Sequence, residues 1–252
     1  MLSKRLKTIA NQIQKGQTMA DVGTDHGFLP LYLWKNGVCP KVIMTDVSEP
    51  SLNKAKEAFE TYLGDFHFRC GDGLEVIEKG EVDVVVIAGM GGVLMTHILG
   101  SDLTKTLSFK KYVLQPRNGS GKLRFWLEKT GFKITSECLA EESKFICEIL
   151  IVTPPVQLDQ IGGSDPIEKS DPIEESDKIE QLLSLDDYPD EIKYEIPRNL
   201  QPESENLFKL FITKKTNIEK NILNAMIGGK IADEQKVTRI RKRIEFLEEN
   251  LR

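Results

Sequence analysis

The chain has 252 residues, 40% of them hydrophobic, enough for one large domain with a real core and a smaller appendage. No apolar run approaches the roughly 18 residues that a bilayer span needs, so no membrane segment is expected. The net charge of −5 argues at first against a nucleic-acid partner, but residues 157–195 hold 13 acidic and 3 basic side chains, which leaves the rest of the chain at +5.

Leu2, Leu6, Ile9 and Ile13 recur at intervals of 4, 3 and 4, which predicts one face of a helix. Lys4, Arg5 and Lys7 lie on the same segment. It lacks the long apolar stretch of a secretory leader. Short apolar runs follow at Thr18–Val22, Lys41–Thr45, Phe66–Arg69, Val82–Ala88, Lys111–Leu114, Lys133–Cys138 and Phe145–Val152. The first five are separated by stretches long enough for helical crossovers, which predicts an α/β, doubly wound, mostly parallel sheet. The last two are close together and read as an antiparallel hairpin at one edge. Seven strands with that final reversal is the layout of the class I methyltransferase (Rossmann-like) fold.

Pro154-Pro155 ends this first domain, taken as residues 1–155. Residues 156–195 read as an acidic, mobile insert, because Ser-Asp-Pro-Ile-Glu at 164–168 and 170–174 and Ser-Asp-Lys-Ile-Glu at 176–180 offer little to bury. Residues 196–252 read as a helical hairpin. Leu207, Phe208, Phe211, Ile218, Ile222 and Met226 suggest one stripe, and Gly228-Gly229 a turn. Val237, Ile240, Ile244, Leu247 and Leu251, spaced 3, 4, 3 and 4, suggest a heptad seam, hence a coiled-coil hairpin. Arg239, Arg241, Lys242 and Arg243 form a basic cluster on it. The four cysteines, Cys39, Cys70, Cys138 and Cys147, show no CxxC spacing, and there are only three histidines. Reduced thiols in or near the core, no metal and a cytoplasmic location are the expectation.

Four strand ends carry chemistry. Ala20-Asp21-Val22-Gly23-Thr24-Asp25-His26-Gly27 closes the first strand. Its glycines allow a sharp turn beside a ligand, and the Asp21 carboxylate is suited to an ammonium group, such as that of a methionine moiety. A dinucleotide fingerprint would place a glycine where Asp25 stands, and a carboxylate beside a pyrophosphate is unfavourable, so a nicotinamide enzyme is disfavoured. Asp46, followed by Val47, ends the second strand, where an acidic residue meets ribose hydroxyls. Gly71-Asp72-Gly73 follows the third strand, with Asp72 directed at an exocyclic amine. Ala88-Gly89-Met90-Gly91-Gly92 follows the fourth and leaves backbone groups open. Gln115-Pro116-Arg117 ends the fifth and adds amide groups and a guanidinium to the same rim.

On these motifs the sequence resembles the bacterial tRNA (adenine-22-N1)-methyltransferases. The resemblance rests on Ala-Asp-Val-Gly-Thr-Asp-His-Gly-Phe-Leu-Pro at 20–30, Gly-Asp-Gly-Leu at 71–74, Ile-Ala-Gly-Met-Gly-Gly at 87–92 and Leu-Gln-Pro at 114–116, and it covers about residues 1–155. The acidic insert departs from the family, as does Arg117, where an Asn is expected directly after the Pro. The resemblance implies an enzyme that uses S-adenosyl-L-methionine to methylate N1 of adenosine 22 in tRNA. It implies Asp21, Gly23, Thr24, Asp46, Val47, Gly71, Asp72, Gly73, Ala88, Gly89 and Met90 as donor-binding residues. Gly91, Gly92, Gln115, Pro116 and Arg117 would meet the acceptor, and Lys4, Arg5, Arg239, Arg241, Lys242 and Arg243 the body of the tRNA. Asp25, supported by His26, is the candidate for stabilising the charge that appears on the methylated ring. Phe28, Tyr32 and Trp34 are expected in the core, and His67 and His97 carry no expected role. A weak homodimer is kept as a further partner. Two alternatives remain: a binding module that has kept the fold without catalysis, and a methyltransferase for another nucleic acid.

Overall fold

The computed structural model describes residues 2–155, 179–228 and 233–251. The repeats between 164 and 178, with the mobility expected of them, lie outside the described residues, as does the second glycine of the 228–229 turn. Seven strands form one sheet: β1 (Met19–Val22), β2 (Lys41–Asp46), β3 (Asp65–Cys70), β4 (Val84–Gly91), β5 (Lys111–Asn118), β6 (Lys133–Glu142) and β7 (Phe145–Thr153). Their order is β3-β2-β1-β4-β5-β7-β6. β1 to β5 pair in parallel, and β7 runs antiparallel to both β5 and β6. The expected final reversal is therefore present, with β7 inserted between β5 and β6. The strand order reverses between β1 and β4, and open α/β sheets bind their ligands outside the carboxyl ends at such a point.

Both faces of the sheet are covered, so the central strands are apolar without alternation. Val84 and Val86 face α1 (Lys4–Ala10), α2 (Phe28–Lys35) and α3 (Glu49–Phe59), where Ile9, Leu33 and Phe59 are buried. Val85 and Ile87 face α4 (Gly92–Gly100) and α6 (Ser120–Lys129), where Met95, Leu99, Leu123 and Trp126 are buried. α5 (Leu103–Thr106) is a single turn after α4. α1 forms where the spacing predicted it, capped by the Ser3 hydroxyl, which accepts from the Leu6 N–H at 3.3 Å.

Two helices follow the sheet, α7 (Glu205–Ile227) and α8 (Glu234–Glu249). They pack together through ion pairs between Arg243 and Glu219 (2.7 Å) and between Lys220 and Glu248 (2.7 Å). α8 buries Val237, Ile244 and Leu247 as its pattern suggested. α7 does not follow its predicted stripe. It buries Phe211, Ile212, Thr216 and Glu219, whereas Ile218 and Ile222 are exposed. Phe211, Ile212 and Leu247 close over Leu139 of β6 and over Ile196, so contact with the sheet edge sets which face turns inward. Glu219 is tolerated inside because Arg243 neutralises it. The pair is thus a helical hairpin whose first helix lacks an all-apolar seam.

The expected loose insert is packed in its described part. Leu183 and Leu185 lie against the core beneath α6, and the Trp126 indole N–H donates to the Leu183 carbonyl at 2.9 Å. Tyr188 and Tyr194 pack edge-on against Phe125. Buried Arg124 ties this segment to the sheet. It donates to Glu137 (2.6 and 2.8 Å), to Glu148 (2.6 Å) and to the Tyr194 carbonyl (3.1 Å). Glu137 in turn accepts from the Arg198 N–H at 2.7 Å. The charge count of residues 157–195 hid these apolar and buried contacts, because Leu183, Leu185, Tyr188 and Tyr194 are sparse among carboxylates.

Candidate active site

A cleft of about 900 Å³ opens above the carboxyl ends of β1, β4 and β5, bounded by α1 and by the start of β7. Asp21 is one of the buried polar groups in its wall. The carboxyl is buried, accepts from the Thr24 hydroxyl at 2.7 Å, and is pushed up to about 6 by burial, with Thr24 and Arg5 pulling the other way. The loop after β1 is pinned to its neighbour: the Gly23 and Thr24 N–H groups donate to the Thr45 carbonyl at 2.8 and 3.0 Å. Gly23 has φ +78°, a backbone conformation that strains any side chain, and a Cβ there would have to push aside the Met90 methyl 2.2 Å away.

Asp25 and His26 stand at the cleft mouth. Asp25 holds φ +39° and accepts from Lys54 Nζ (3.0 Å) and pairs with His26 Nδ1 (2.7 Å). Burial, the largest single influence, raises its carboxyl, but the hydrogen bonds and charges of Lys54 and His26 together outweigh it and hold the group below the usual range, so it is ionised at neutral pH. His26 does not cap α2, whose N-cap is Gly27; its ring stacks on Phe28, centroid to centroid 5.1 Å. Phe28 was expected in the core and instead lines the cleft, 55% exposed. His67, given no partner from the sequence, bonds to Asp65 at 2.7 Å.

The donor-side motifs at β2 and β3 lie beside the cleft on the same sheet edge. Asp46 accepts from the Ser48 N–H at 2.8 Å, and the Gly71 N–H donates to the Asp46 carbonyl at 3.1 Å, joining the two loops. Val47 and Asp72 are exposed. Gly73, at φ +49°, sits against Ile98. On β4 the register shifts between Ala88, Met90 and Gly91, a bulge that turns the chain out of the ladder. Gly89, at φ +79°, has open space where a Cβ would be. Gly92 touches the backbone of Gly119, so the β4 and β5 loops meet. Gln115 is buried, its carboxamide nitrogen on the Pro116 carbonyl (2.8 Å) and its oxygen accepting from Arg5 (2.9 Å).

The basic residues divide. Arg5 belongs to the cleft, between Gln115 and Glu142, rather than to an outer surface. Lys4 is exposed and paired with Glu141 at 2.7 Å. Arg239 and Arg243 are engaged with Asp190, and Arg243 also with Glu219, so they staple α8 to the 189–191 loop. Arg117, Arg241 and Lys242 are exposed, with no ion pair among the described residues. The sequence shows the basic cluster without its acidic partners, because Asp190 and Glu219 come from distant parts of the chain. Glu148, Ser120 and Phe145 line the cleft and were not singled out from the sequence. An exposed aromatic one residue past a tight turn (Ser143, φ +55°) was the available signal for Phe145. Of the thiols, Cys39 and Cys138 are buried, Cys147 is partly buried and Cys70 is exposed. Among the described residues no cluster has metal-ligand spacing, and no helix is long and apolar enough to cross a membrane.

Residues 2–150 match the family described as Methyltransferase domain. The tRNA (adenine(22)-N(1))-methyltransferase of Bacillus subtilis is 39% identical over 152 residues, which span 60% of this chain and 64% of that protein. The crystal structure of the B. subtilis m1A22 tRNA methyltransferase TrmK superimposes with a TM-score of 0.72 at 29% identity, covering 100% of this chain and 99% of that one. A Streptococcus pneumoniae protein solved in complex with S-adenosyl-L-methionine gives a TM-score of 0.72 at 26% identity, with 100% of both chains covered. With its seven-stranded sheet, its reversed last strand and its cleft at the switch point, the chain belongs to the methyltransferase-domain family, the B. subtilis enzyme being one of its relatives.

Proposed function

We propose that this protein transfers the methyl group of S-adenosyl-L-methionine to N1 of adenosine in tRNA, at position 22, in the cytoplasm. The observation that carries the reading is the convergence of buried Asp21, open Gly89 and buried Gln115 on one cleft at the switch point. The matches to the B. subtilis enzyme and to the donor-bound S. pneumoniae protein support it. The donor fits this cleft: Asp21 is a buried carboxylate with no cation in hydrogen-bonding contact among the described residues, and Gly89 leaves room for close approach. When bound, the donor supplies an activated methyl group to a nucleophile in line with it.

Asp21 takes the amino-acid ammonium, Asp46 the ribose hydroxyls and Asp72 the adenine amine, with Gly23, Thr24, Val47, Gly71, Gly73, Ala88, Gly89 and Met90 shaping the pocket. Gly91, Gly92, Gln115, Pro116 and Arg117 meet the acceptor ring. Adenine N1 carries no proton in its neutral form, so the task is alignment rather than base catalysis. The ring becomes cationic as it is methylated, and the ionised Asp25 carboxylate, oriented by His26, stabilises that charge. A noncatalytic module is disfavoured because every one of these carboxylates is in place.

Nucleoside mass spectrometry of tRNA treated with the protein and donor is expected to show 1-methyladenosine at position 22. Absence of product, or product only in another nucleic acid, would overturn the reading. Asp46→Ala and Asp72→Ala should each weaken donor affinity by about tenfold, the cost of one or two hydrogen bonds to a charged group. Calorimetric constants within twofold of wild type in both variants would remove these two assignments. Asp25→Asn should keep donor affinity and lose at least about tenfold in single-turnover rate, a loss within the range of a missing charge-stabilising group. A normal rate would leave Asp25 without a part in the transfer.

A further inference from the structure

Two large aromatic side chains at the cleft are left in water. Phe28 is 55% exposed and Phe145 is 62% exposed, and both line the cavity that contains Asp21 and Gln115. They come from elements on either side of its floor. Phe28 opens α2 directly after the β1 loop, and Phe145 opens β7 directly after the β6–β7 turn, while β4 and β5 lie between β1 and β7. Each ring has a neighbour of its own. His26 lies parallel to Phe28, tilted by 13°, and is itself held by Asp25, which Lys54 anchors. The Lys144 ammonium sits over the Phe145 ring at 5.4 Å, and the Lys144 carbonyl accepts from Lys214 of α7 at 3.0 Å, fastening the turn to the helical hairpin.

Exposed rings of this size cost burial energy in the free protein, so they point to an occupant with a flat apolar face. The surrounding charge narrows its chemistry. Lys144, over the Phe145 ring, and Arg117, in the cleft wall, are exposed cations suited to phosphate oxygens. Glu142 and Glu148 lie deeper, engaged by Arg5 and Arg124 respectively. An aromatic face with cations at its edge is the recognition surface of a single-stranded nucleotide.

Resting on the methyltransferase reading above, we propose that Phe28, backed by His26, and Phe145 are the stacking walls that grip one unpaired RNA base at the cleft mouth. A base in a folded RNA must leave its stack to reach the donor, and these rings replace the stacking it loses. The tie of the Phe145 turn to α7 through Lys144 couples that side of the grip to the appendage.

The test uses full-length protein and a tRNA transcript with 2-aminopurine at position 22. Wild-type protein is expected to quench the probe, as stacking on aromatic rings does. Phe28→Ala and Phe145→Ala should abolish most of the quench and raise the KM for unmodified tRNA by roughly 10- to 100-fold, the range for one lost base–aromatic stack. S-adenosyl-L-methionine affinity should stay within twofold, and Phe145→Trp should restore the quench where Phe145→Leu does not. A quench and a KM unchanged in both alanine variants would overturn the clamp. A wild-type protein that quenches the probe but methylates no RNA would sink the activity reading and leave the clamp standing.

Discussion

Replacing Arg124 with alanine is expected to lower the melting temperature by roughly 10 °C or more. The guanidinium is 3% exposed and is shared between Glu137, 2% exposed, and Glu148, 11% exposed. Removing the cation leaves two carboxylates without their partner, Glu137 in the interior and Glu148 in the cleft wall. Breaking a buried pair in this way costs about 3–5 kcal/mol, and each kcal/mol moves the transition of a domain this size by about 2–4 °C. Arg124→Lys should not restore it, because one ammonium cannot span both carboxylates and the Tyr194 carbonyl as the planar fork does. The loss should also reach the cleft, since Glu148 is part of its wall and accepts from the Ser120 hydroxyl at 2.9 Å. A calorimetric shift below about 3 °C would mean that the segment at Tyr194 is held by its apolar contacts alone. The same network makes a truncation directly after the sheet a poor test of the appendage: it would uncover Arg124, Glu137 and Trp126 together.

The second large effect lies at Asp21. Burial raises its carboxyl from its ordinary 3.8 to about 6, so at neutral pH the free protein carries a buried carboxylate in its disfavoured form. The sign follows from linkage. The folded state binds the proton more tightly than the unfolded one, so this group lowers stability as pH rises from about 4 to 6, and the full cost, roughly 3 kcal/mol, is present above that. A ligand ammonium offsets the cost by stabilising the ionised form. Donor affinity should therefore be level above pH 7 and fall about tenfold per pH unit below about 6, with a proton released on binding in the acid range. Asp21→Asn should melt several degrees higher than wild type at pH 7.5 and bind donor at least about 30-fold more weakly, the value of a charge-assisted hydrogen bond. Calorimetry in buffers of different ionisation enthalpy reads the proton. An affinity flat between pH 5 and 8 would remove the ammonium from Asp21.

The sheet was legible in the residues because its signals are local. Val84 to Ile87 are apolar on both sides of the strand, which only a sheet covered on two faces allows, and the short spacing between the last two apolar runs allows only a hairpin. The loops at the strand ends were legible for the same reason: glycines and carboxylates at consecutive strand ends need no knowledge of distant partners. Gly23 and Gly89 do occupy backbone at positive φ, as the reading of a turned loop required.

The strand set, the reversal at the end and the β1, β4 and β5 loops that line the cleft are thus encoded in residues adjacent along the chain. Which charges are neutralised depends instead on contacts between remote segments. Arg239 and Arg243 look like free cations beside Arg241 and Lys242 until Asp190 and Glu219 arrive from remote segments to neutralise them. Contacts of this kind also decide that Arg5 enters the cleft, that the residues around Tyr188 and Tyr194 pack rather than float, and that α7 turns Glu219 inward and Ile218 outward. Phe28 reads as core in the sequence, because an aromatic at the start of a helix usually is. Its exposure follows from the left-handed Gly27 that starts α2 at the cleft mouth, with Phe28 at the rim and Leu29 beneath. In each case the deciding partner lies far along the chain, and local pattern carries no information about which distant groups a fold will bring into contact.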